Sequence, residues 1–151
     1  MKCQKFEFKR IILKDQSINY NHAEIIRSPA AVYRAAGKIA AQAIGNEYKE
    51  HLIVLFLNAR NKLTGYNLIG VGTQTANLVD PGEIYRAAIM AGAQSIIISH
   101  NHPSGDTEPS DEDIAITQQV KDAGKLLNIQ LKDHVIVSEN KFYSFKENGR
   151  I

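Results

Sequence analysis

The sequence predicts an α/β fold in which a mixed β-sheet is flanked by helices. Two apolar runs, 52–57 and 96–98, are typical of strands that are buried on both faces of a sheet. Between such runs lie helical segments that begin at recognisable capping residues. Strands and helices do not alternate strictly, because the strands predicted at 51–57 and 62–71 follow one another directly. This order favours a mixed sheet over an all-parallel one.

Turn and capping signals set the limits of each predicted element. Serine followed by proline is a typical helix start, with serine as N-cap and proline in the first turn, and glycine commonly ends a helix. In chain order, the sequence predicts an edge strand at 5–13, a helix from Ser28–Pro29 to about Gly45, strands at 51–57 and 62–71, a helix from Asp80 or Pro81 to about Gly92, a strand at 96–102, a helix from Ser110 to about Leu127, and strands at 130–137 and 142–145.

Composition is that of an ordinary globular protein. The chain has 151 residues, 44% of them hydrophobic and 23% charged, with a formal net charge of +2. We expect an N-terminal strand or extension at 1–27 and one compact domain at 28–151. So small a net charge gives no strong electrostatic case for nucleic acid. A single cysteine, no membrane-length apolar run and no signal-peptide core predict a cytoplasmic protein without a membrane partner.

The stretch 99–113 carries the residues best suited to chemistry. His100 and His102 are two residues apart at the end of a predicted strand, so both imidazoles leave the same face. Asp113 lies in the first turn of the helix that follows Ser110. Two histidines and one carboxylate that meet in this way leave a fourth position for water, the arrangement of a catalytic zinc site.

Other interpretations of the same stretch stay open at this point. Ser110 and Asp113 have nearly the spacing of a capping box, and the histidines could form only a polar strand exit. Alternative carboxylate ligands are also present in the loop and the first helical turn, namely Asp106, Asp111 and Glu112.

The pattern His100-x-His102-Pro103 followed by Ser110-x-x-Asp113 resembles the JAMM signature of the MPN/JAB metallohydrolases. The fuller string 100–105, with Glu-Pro-Ser at 108–110, is similar to the bacterial RadC branch of that superfamily, and the resemblance covers roughly 28–149. It implies a curved mixed sheet packed against helices, a layered fold comparable to that of the cytidine deaminases. It also implies zinc as cofactor and Asp113 as the third ligand.

The zinc chemistry needs a carboxylate that handles the proton of the activated water, at the end of a neighbouring strand. Glu50 directly precedes the buried run 52–57, and JAMM enzymes carry their catalytic glutamate in the corresponding place. The resemblance therefore makes Glu50 the general acid/base, with Glu47 as competitor. It also makes Ser110 the serine that supports the oxyanion, although Ser110 is equally suited to be an N-cap.

Further histidines have weaker claims to a role. His51 should point to the sheet face opposite Glu50, and His22 is predicted to be exposed. Asp133-His134, a pair that recurs in RadC-like sequences, is either a support for a metal ligand or a structural pair. Zinc nucleobase deaminases and His-Glu-x-x-His proteases are excluded because their motifs are absent.

The sequence thus predicts a JAMM-type zinc hydrolase that cleaves amide bonds, peptide or isopeptide, through a zinc-activated water. One alternative is a DNA-repair-associated role, as the RadC label implies, although the stretch before Ser28 is expected to be too short for the helical segment usual in RadC proteins. A steep fall of DNA affinity with salt would distinguish that role. The other alternative is a non-catalytic interaction module. The oligomeric state is not determined by the sequence.

Overall fold

The structure, a computed structural model, describes Ile26 and the ranges 28–43, 50–72 and 80–151. Within these residues the chain forms three helices and five strands. Their bounds are α1 Pro29–Ala43, β1 Glu50–Leu57, β2 Leu63–Gly72, α2 Pro81–Met90, β3 Ser95–Asn101, α3 Asp111–Leu127, β4 Gln130–Val137 and β5 Phe142–Ser144.

The five strands form one mixed sheet in the order β2-β1-β3-β4-β5. The pairs β1–β2, β1–β3 and β4–β5 are antiparallel, whereas β3 and β4 are parallel. A parallel pair requires a crossover connection, and α3 supplies it. Because β1 runs antiparallel to β3, the beginning of β1 lies beside the end of β3. This topology brings Glu50, at the start of β1, and the two histidines of the motif, at the end of β3, to the same end of the sheet.

Helices cover both faces of the sheet. Residues of α1 pack with Ile53, Leu55 and Ile97 on one face, and residues of α2 and α3 pack with Val54 and Ile98 on the other. Successive side chains of a strand point to opposite faces, so both faces of β1 and β3 are buried. This explains why their sequences are continuous apolar runs rather than alternating ones.

Capping explains where α3 begins and ends. Ser110 is its N-cap and forms a complete capping box with Asp113, and three acidic residues occupy the first turn. Negative charge is favourable there because unpaired N–H groups give the helix start a partial positive charge. The helix ends at Leu127, and its C-cap residue Asn128 adopts a left-handed conformation with φ 56°.

The predicted fold class is confirmed, and the predicted elements agree with the observed ones within about two residues where the structure describes them. The edge strand at 5–13, His22 and Glu47 lie outside the described residues, as does nearly all of the N-terminal extension. Ile26 is described: it is buried in the core on the α1 face and donates its N–H to the Asn61 carbonyl, 2.9 Å away. Over the described ranges, no helix has both the length and the apolar character that crossing a bilayer requires.

Tyr85 and Gly124 fix the packing of α2 against α3. The Tyr85 hydroxyl donates a hydrogen bond to the Val120 carbonyl at 2.8 Å, and the side chain is only 2% exposed. A Cβ atom at Gly124 would lie 2.3 Å from the Tyr85 hydroxyl oxygen and 2.6 Å from the Ile129 carbonyl oxygen. The close approach of the backbone therefore requires glycine at position 124.

We expect Tyr85→Phe to make the free energy of unfolding less dependent on pH in the alkaline range. Burial raises the pKa of Tyr85 to about 12, from an ordinary value of 10.0, so the folded chain holds the phenol proton more tightly than the unfolded chain. This stabilisation is fully present below pH 10 and is lost as the pH rises to about 12. When the free energy of unfolding is measured in urea at pH 9 and at pH 11, its decrease between the two pH values should be about 1 kcal/mol larger in the wild type than in the variant. Equal losses would contradict the assignment.

Candidate metal centre

The candidate metal centre lies where β3 ends and α3 begins, and it is formed by His100, His102 and Asp113. Both histidines leave the face of β3 that α2 and α3 cover, because they are two residues apart and the chain stays extended to Asn101. Asp113 reaches the same point from the first turn of α3. Each of the three residues offers one ligand atom, and these atoms lie within 4.8 Å of one another.

The distances between the donor atoms suit a small tetrahedral ion. His100 Nε2 lies 3.0 Å from His102 Nε2 and 3.0 Å from Asp113 Oδ1, and His102 Nε2 lies 3.2 Å from Asp113 Oδ2. Zinc bonds of 2.0–2.1 Å in tetrahedral geometry separate neighbouring ligand atoms by about 3.3 Å. Two imidazole nitrogens and one carboxylate are also the donor types that zinc accepts at catalytic sites. The three residues therefore fit a zinc ion with one open position.

The capping box holds the Asp113 carboxylate in place. Asp113 Oδ2 accepts hydrogen bonds from the Ser110 N–H and from the Ser110 hydroxyl, each at 2.8 Å. The Ser110 oxygen in turn accepts from the Asp113 N–H at 3.1 Å. Burial alone raises the pKa of Asp113, but His100 and the two Ser110 hydrogen bonds outweigh it, and the pKa falls well below its usual range. Asp113 is thus an anion at neutral pH, as a metal ligand must be.

Solvent reaches this site at His102 and Asp113. The His100 side chain is 1% exposed, whereas those of His102 and Asp113 are 18% and 12% exposed. The inner wall is therefore formed by His100, and the outer side lies at His102 and Asp113. Catalytic zinc sites require such an accessible side, because water and substrate must reach the open position.

Glu50 lies on the strand beside the histidines. Its Cα pairs with Gly72 of β2, and two residues later Leu52 pairs with His100 of β3. Continued two residues beyond its last pair, the antiparallel register sets Glu50 opposite position 102, which follows the end of β3, and side-chain alternation puts Glu50 on the face of Leu52 and His100. Glu50 is half-buried and is not one of the three grouped ligand residues. This placement agrees with the position that its predicted role requires, and the role itself stays a prediction.

A buried layer of polar side chains lies behind His100. His134 of β4 is completely buried, and its Nε2 lies 2.7 Å from His100 Nδ1. On its other side, His134 Nδ1 lies 2.6 Å from the hydroxyl oxygen of Thr117 of α3. Phe145 stacks on the His134 ring with 4.6 Å between centroids. The pKa of His134 lies well below its ordinary value, mainly because the ring is buried and also because His100 is close to it.

Asp133, the neighbour of His134, has a separate position. It pairs with Ile97 on the α1 face of the sheet, opposite the candidate metal centre. Its carboxylate accepts hydrogen bonds from the Ser144 hydroxyl at 2.7 Å and from the N–H groups of His134 and Lys146 at 2.8 and 3.0 Å. Of the Asp-His pair, only His134 therefore contacts a candidate ligand, and Asp133 joins β4 to the C-terminal segment.

Of the other sequence candidates, those within the described ranges do not join the group. Asp106 is exposed and lies 3.2 Å from Lys141, and Asp111 and Glu112 are exposed in the first turn of α3. His51 is buried, and side-chain alternation from Leu52 places it on the α1 face. Thr117 was missed by the sequence analysis. Its only signal is its position one helical turn after Asp113, on the buried side of α3.

The fold and this donor set together define a class: an α/β domain with a candidate metal centre formed by His-x-His at a strand end and an aspartate on the next helix. Comparison with known proteins agrees with it. The family model described as "RadC-like JAB domain" matches residues 26–150. The chain belongs to the RadC-like JAB domain family.

The relatives found by sequence comparison include UPF0758 proteins. The chain is 50% identical over 106 residues to UPF0758 protein CT0611 of Chlorobaculum tepidum, a match that covers 70% of this chain and 48% of the relative. It is 48% identical over 103 residues to a UPF0758 protein of Carboxydothermus hydrogenoformans, covering 68% and 46% of the two chains. The matches span about half the length of these relatives.

Proposed function

We propose that this domain is a zinc-dependent hydrolase that cleaves amide bonds in peptides or in isopeptide-linked proteins. The observation that supports it most is the convergence of three side chains: His100 Nε2 lies 3.0 Å from His102 Nε2, and the two Asp113 carboxylate oxygens lie 3.0 Å from His100 Nε2 and 3.2 Å from His102 Nε2. These distances are close to the edge of a zinc coordination tetrahedron, about 3.3 Å. Membership of the RadC-like JAB domain family agrees with a site of this kind.

Zinc held by these residues would supply two things to the reaction: it lowers the pKa of a water molecule to about 7, and it polarises a carbonyl oxygen. His100, His102 and Asp113 would hold the ion. The anionic Asp113 contributes one negative charge, and the two neutral imidazoles contribute none, so the site keeps a net positive charge. Such a charge favours the oxyanion that develops when an amide carbonyl becomes tetrahedral.

Glu50 is proposed to act as general acid/base. Its place on the face of His100, opposite position 102, allows it to take a proton from the attacking water and deliver it to the leaving amine. A carboxylate in this role must stay outside the ligand set, and Glu50 is not among the grouped ligand residues. The half-buried position also lets the group exchange protons with solvent.

Ser110 is proposed to support the oxyanion. Its hydroxyl lies at the N-terminal end of α3, where unpaired N–H groups favour negative charge. The hydroxyl donates to Asp113 Oδ2 at 2.8 Å, so a role toward substrate requires it to exchange this partner during the reaction. A Ser110→Ala variant would remove both contributions together.

The substrate is proposed to be a peptide or protein that enters from the solvent side of the site. His102 and Asp113 form the accessible side, and a chain bound there would place its carbonyl next to the open metal position. The UPF0758 relatives are about twice as long as the matched segment, so further parts of such proteins have room to contribute to substrate choice.

Metal removal and replacement test this proposal. Chelator-treated protein should hydrolyse none of a panel of quenched peptides and lysine-linked isopeptides, and one equivalent of zinc should restore turnover. Magnesium, which prefers oxygen ligands, serves as the control ion and should not restore it. A zinc-loaded chain that cleaves no amide substrate would favour a non-catalytic interaction module instead.

A further inference from the structure

We infer that His134 and Thr117 are positioning residues of the metal centre, which hold the His100 ring in the tautomer that offers Nε2 to zinc. This inference rests on the zinc-binding part of the proposed function and not on hydrolysis. It follows from a continuous series of buried hydrogen bonds that runs from His100 through His134 and Thr117 to the backbone of Asp113.

The direction of the series is set at its far end. The Thr117 hydroxyl oxygen lies 2.5 Å from the Asp113 carbonyl oxygen. A carbonyl has no proton, so the Thr117 hydroxyl must donate its only proton there. At its other contact, 2.6 Å from His134 Nδ1, the same oxygen can then only accept. His134 must therefore carry its proton on Nδ1.

The consequence reaches the ligand two steps later. A neutral His134 with its proton on Nδ1 has a free electron pair on Nε2, which must accept from His100 Nδ1, 2.7 Å away. A neutral His100 then carries its single proton on Nδ1, and its Nε2 is the nitrogen left to bind an ion. That nitrogen is the one that lies 3.0 Å from His102 Nε2 and 3.0 Å from Asp113 Oδ1. The buried hydrogen bonds thus direct the single proton of a neutral His100 to Nδ1 and leave Nε2 for the ion.

The same series also connects the two elements that supply ligands. His100 is on β3, His134 on β4, and Thr117 lies one turn after Asp113 on α3. His134 lies on the same sheet face as His100, and its ring is held by the stacked Phe145. The buried hydrogen bonds therefore fix the distance between the strand that carries His100 and the helix that carries Asp113. Mutation of residues that hydrogen-bond to metal-bound histidines and orient them commonly lowers metal affinity by about 10- to 100-fold.

Zinc affinity measured by chelator competition tests the inference in the full chain. His134→Leu should weaken zinc binding about 10- to 100-fold, because His100 loses its acceptor. His134→Gln provides an amide oxygen that can accept from His100 and should recover part of the affinity. Thr117→Val should weaken binding, and Thr117→Ser, which keeps the hydroxyl, should restore it.

Tyr85→Phe is the matched control, because it also removes a buried hydroxyl that donates to a carbonyl of α3. It should lower stability and leave zinc affinity unchanged. Long-range ¹H–¹⁵N NMR of the metal-free wild type gives a second measurement, which does not depend on the variants folding. It should show the proton on Nδ1 of both His100 and His134.

Two results would overturn the inference: a His134 ring protonated on Nε2, or unchanged zinc affinity in both His134→Leu and Thr117→Val. If either occurs while the wild type binds zinc, the positioning role is wrong and the proposed function survives. If the wild type binds no zinc, the proposed function and the positioning role are both wrong.

Discussion

Replacing His100 or His102 with alanine is expected to remove zinc from the protein. Each substitution deletes one of three protein ligands, which leaves two donors for an ion that needs three or four. Loss of a residue that only hydrogen-bonds to a metal ligand typically lowers metal affinity by about 10- to 100-fold, so loss of a ligand itself should lower zinc affinity by more than about 100-fold. Metal analysis after dialysis should find one zinc per wild-type chain and close to none in either variant.

The carboxylates of α3 provide the matched comparison for this experiment. Asp113→Asn should also lose zinc, because a neutral amide replaces the anionic ligand that the capping box holds. Asp111→Asn changes an exposed carboxylate two residues away in the same helical turn and should keep the full zinc content. Full zinc content in His102→Ala, or its loss in Asp111→Asn, would show that the ligand set is wrong.

Replacing Glu50 with glutamine is expected to abolish turnover while zinc stays bound. Glutamine has nearly the shape of glutamate but cannot accept the proton of the attacking water, and general acid–base groups contribute about 10²- to 10⁴-fold to rate. Because Glu50 is not among the grouped ligand residues, zinc content should equal that of the wild type. The loss should appear in kcat rather than in KM, since the group acts in the transition state.

Glu83→Gln makes the same chemical change at an exposed position in the first turn of α2 and should leave turnover intact. Glu50→Asp keeps the carboxylate but shortens its reach, and it should retain part of the activity. Turnover in Glu50→Gln at the wild-type rate would remove Glu50 from the mechanism, whereas a parallel loss of zinc would make it a ligand instead.

Much of the fold follows from local signals. The apolar runs of β1 and β3, the Asp80-Pro81 start of α2 and the Ser110 cap of α3 all act within a few residues. Backbone preferences and capping hydrogen bonds are set over such short distances, so sequence patterns indicate them well. Strand order is different, because many pairings bury the same apolar faces. Only the assembled sheet places β1 between β2 and β3.

The candidate ligands could also be predicted, because His100, His102 and Asp113 lie within 14 residues in a characteristic pattern. Their support could be predicted only in part: the sequence offered Asp133-His134 as a support for a metal ligand, one of two alternatives, and did not single out Thr117. His134 is 34 residues from His100 in the chain, and Thr117 is 17 residues from His134. Contacts over such separations depend on how β4 and α3 pack, which no local pattern specifies. The sequence therefore did not distinguish the role of Asp133 from that of His134, whereas in the sheet the two side chains lie on opposite faces.

By itself, the sequence determined the elements, their caps and the metal-ligand pattern, because short-range sterics and hydrogen bonding encode them. The tertiary structure alone decided that β1, which begins at Glu50, pairs with β3, and that His134 and Thr117 both contribute to the buried hydrogen bonds next to His100. Those relations arise from strand register and from helix packing against the sheet, where side chains distant in the chain share one buried space.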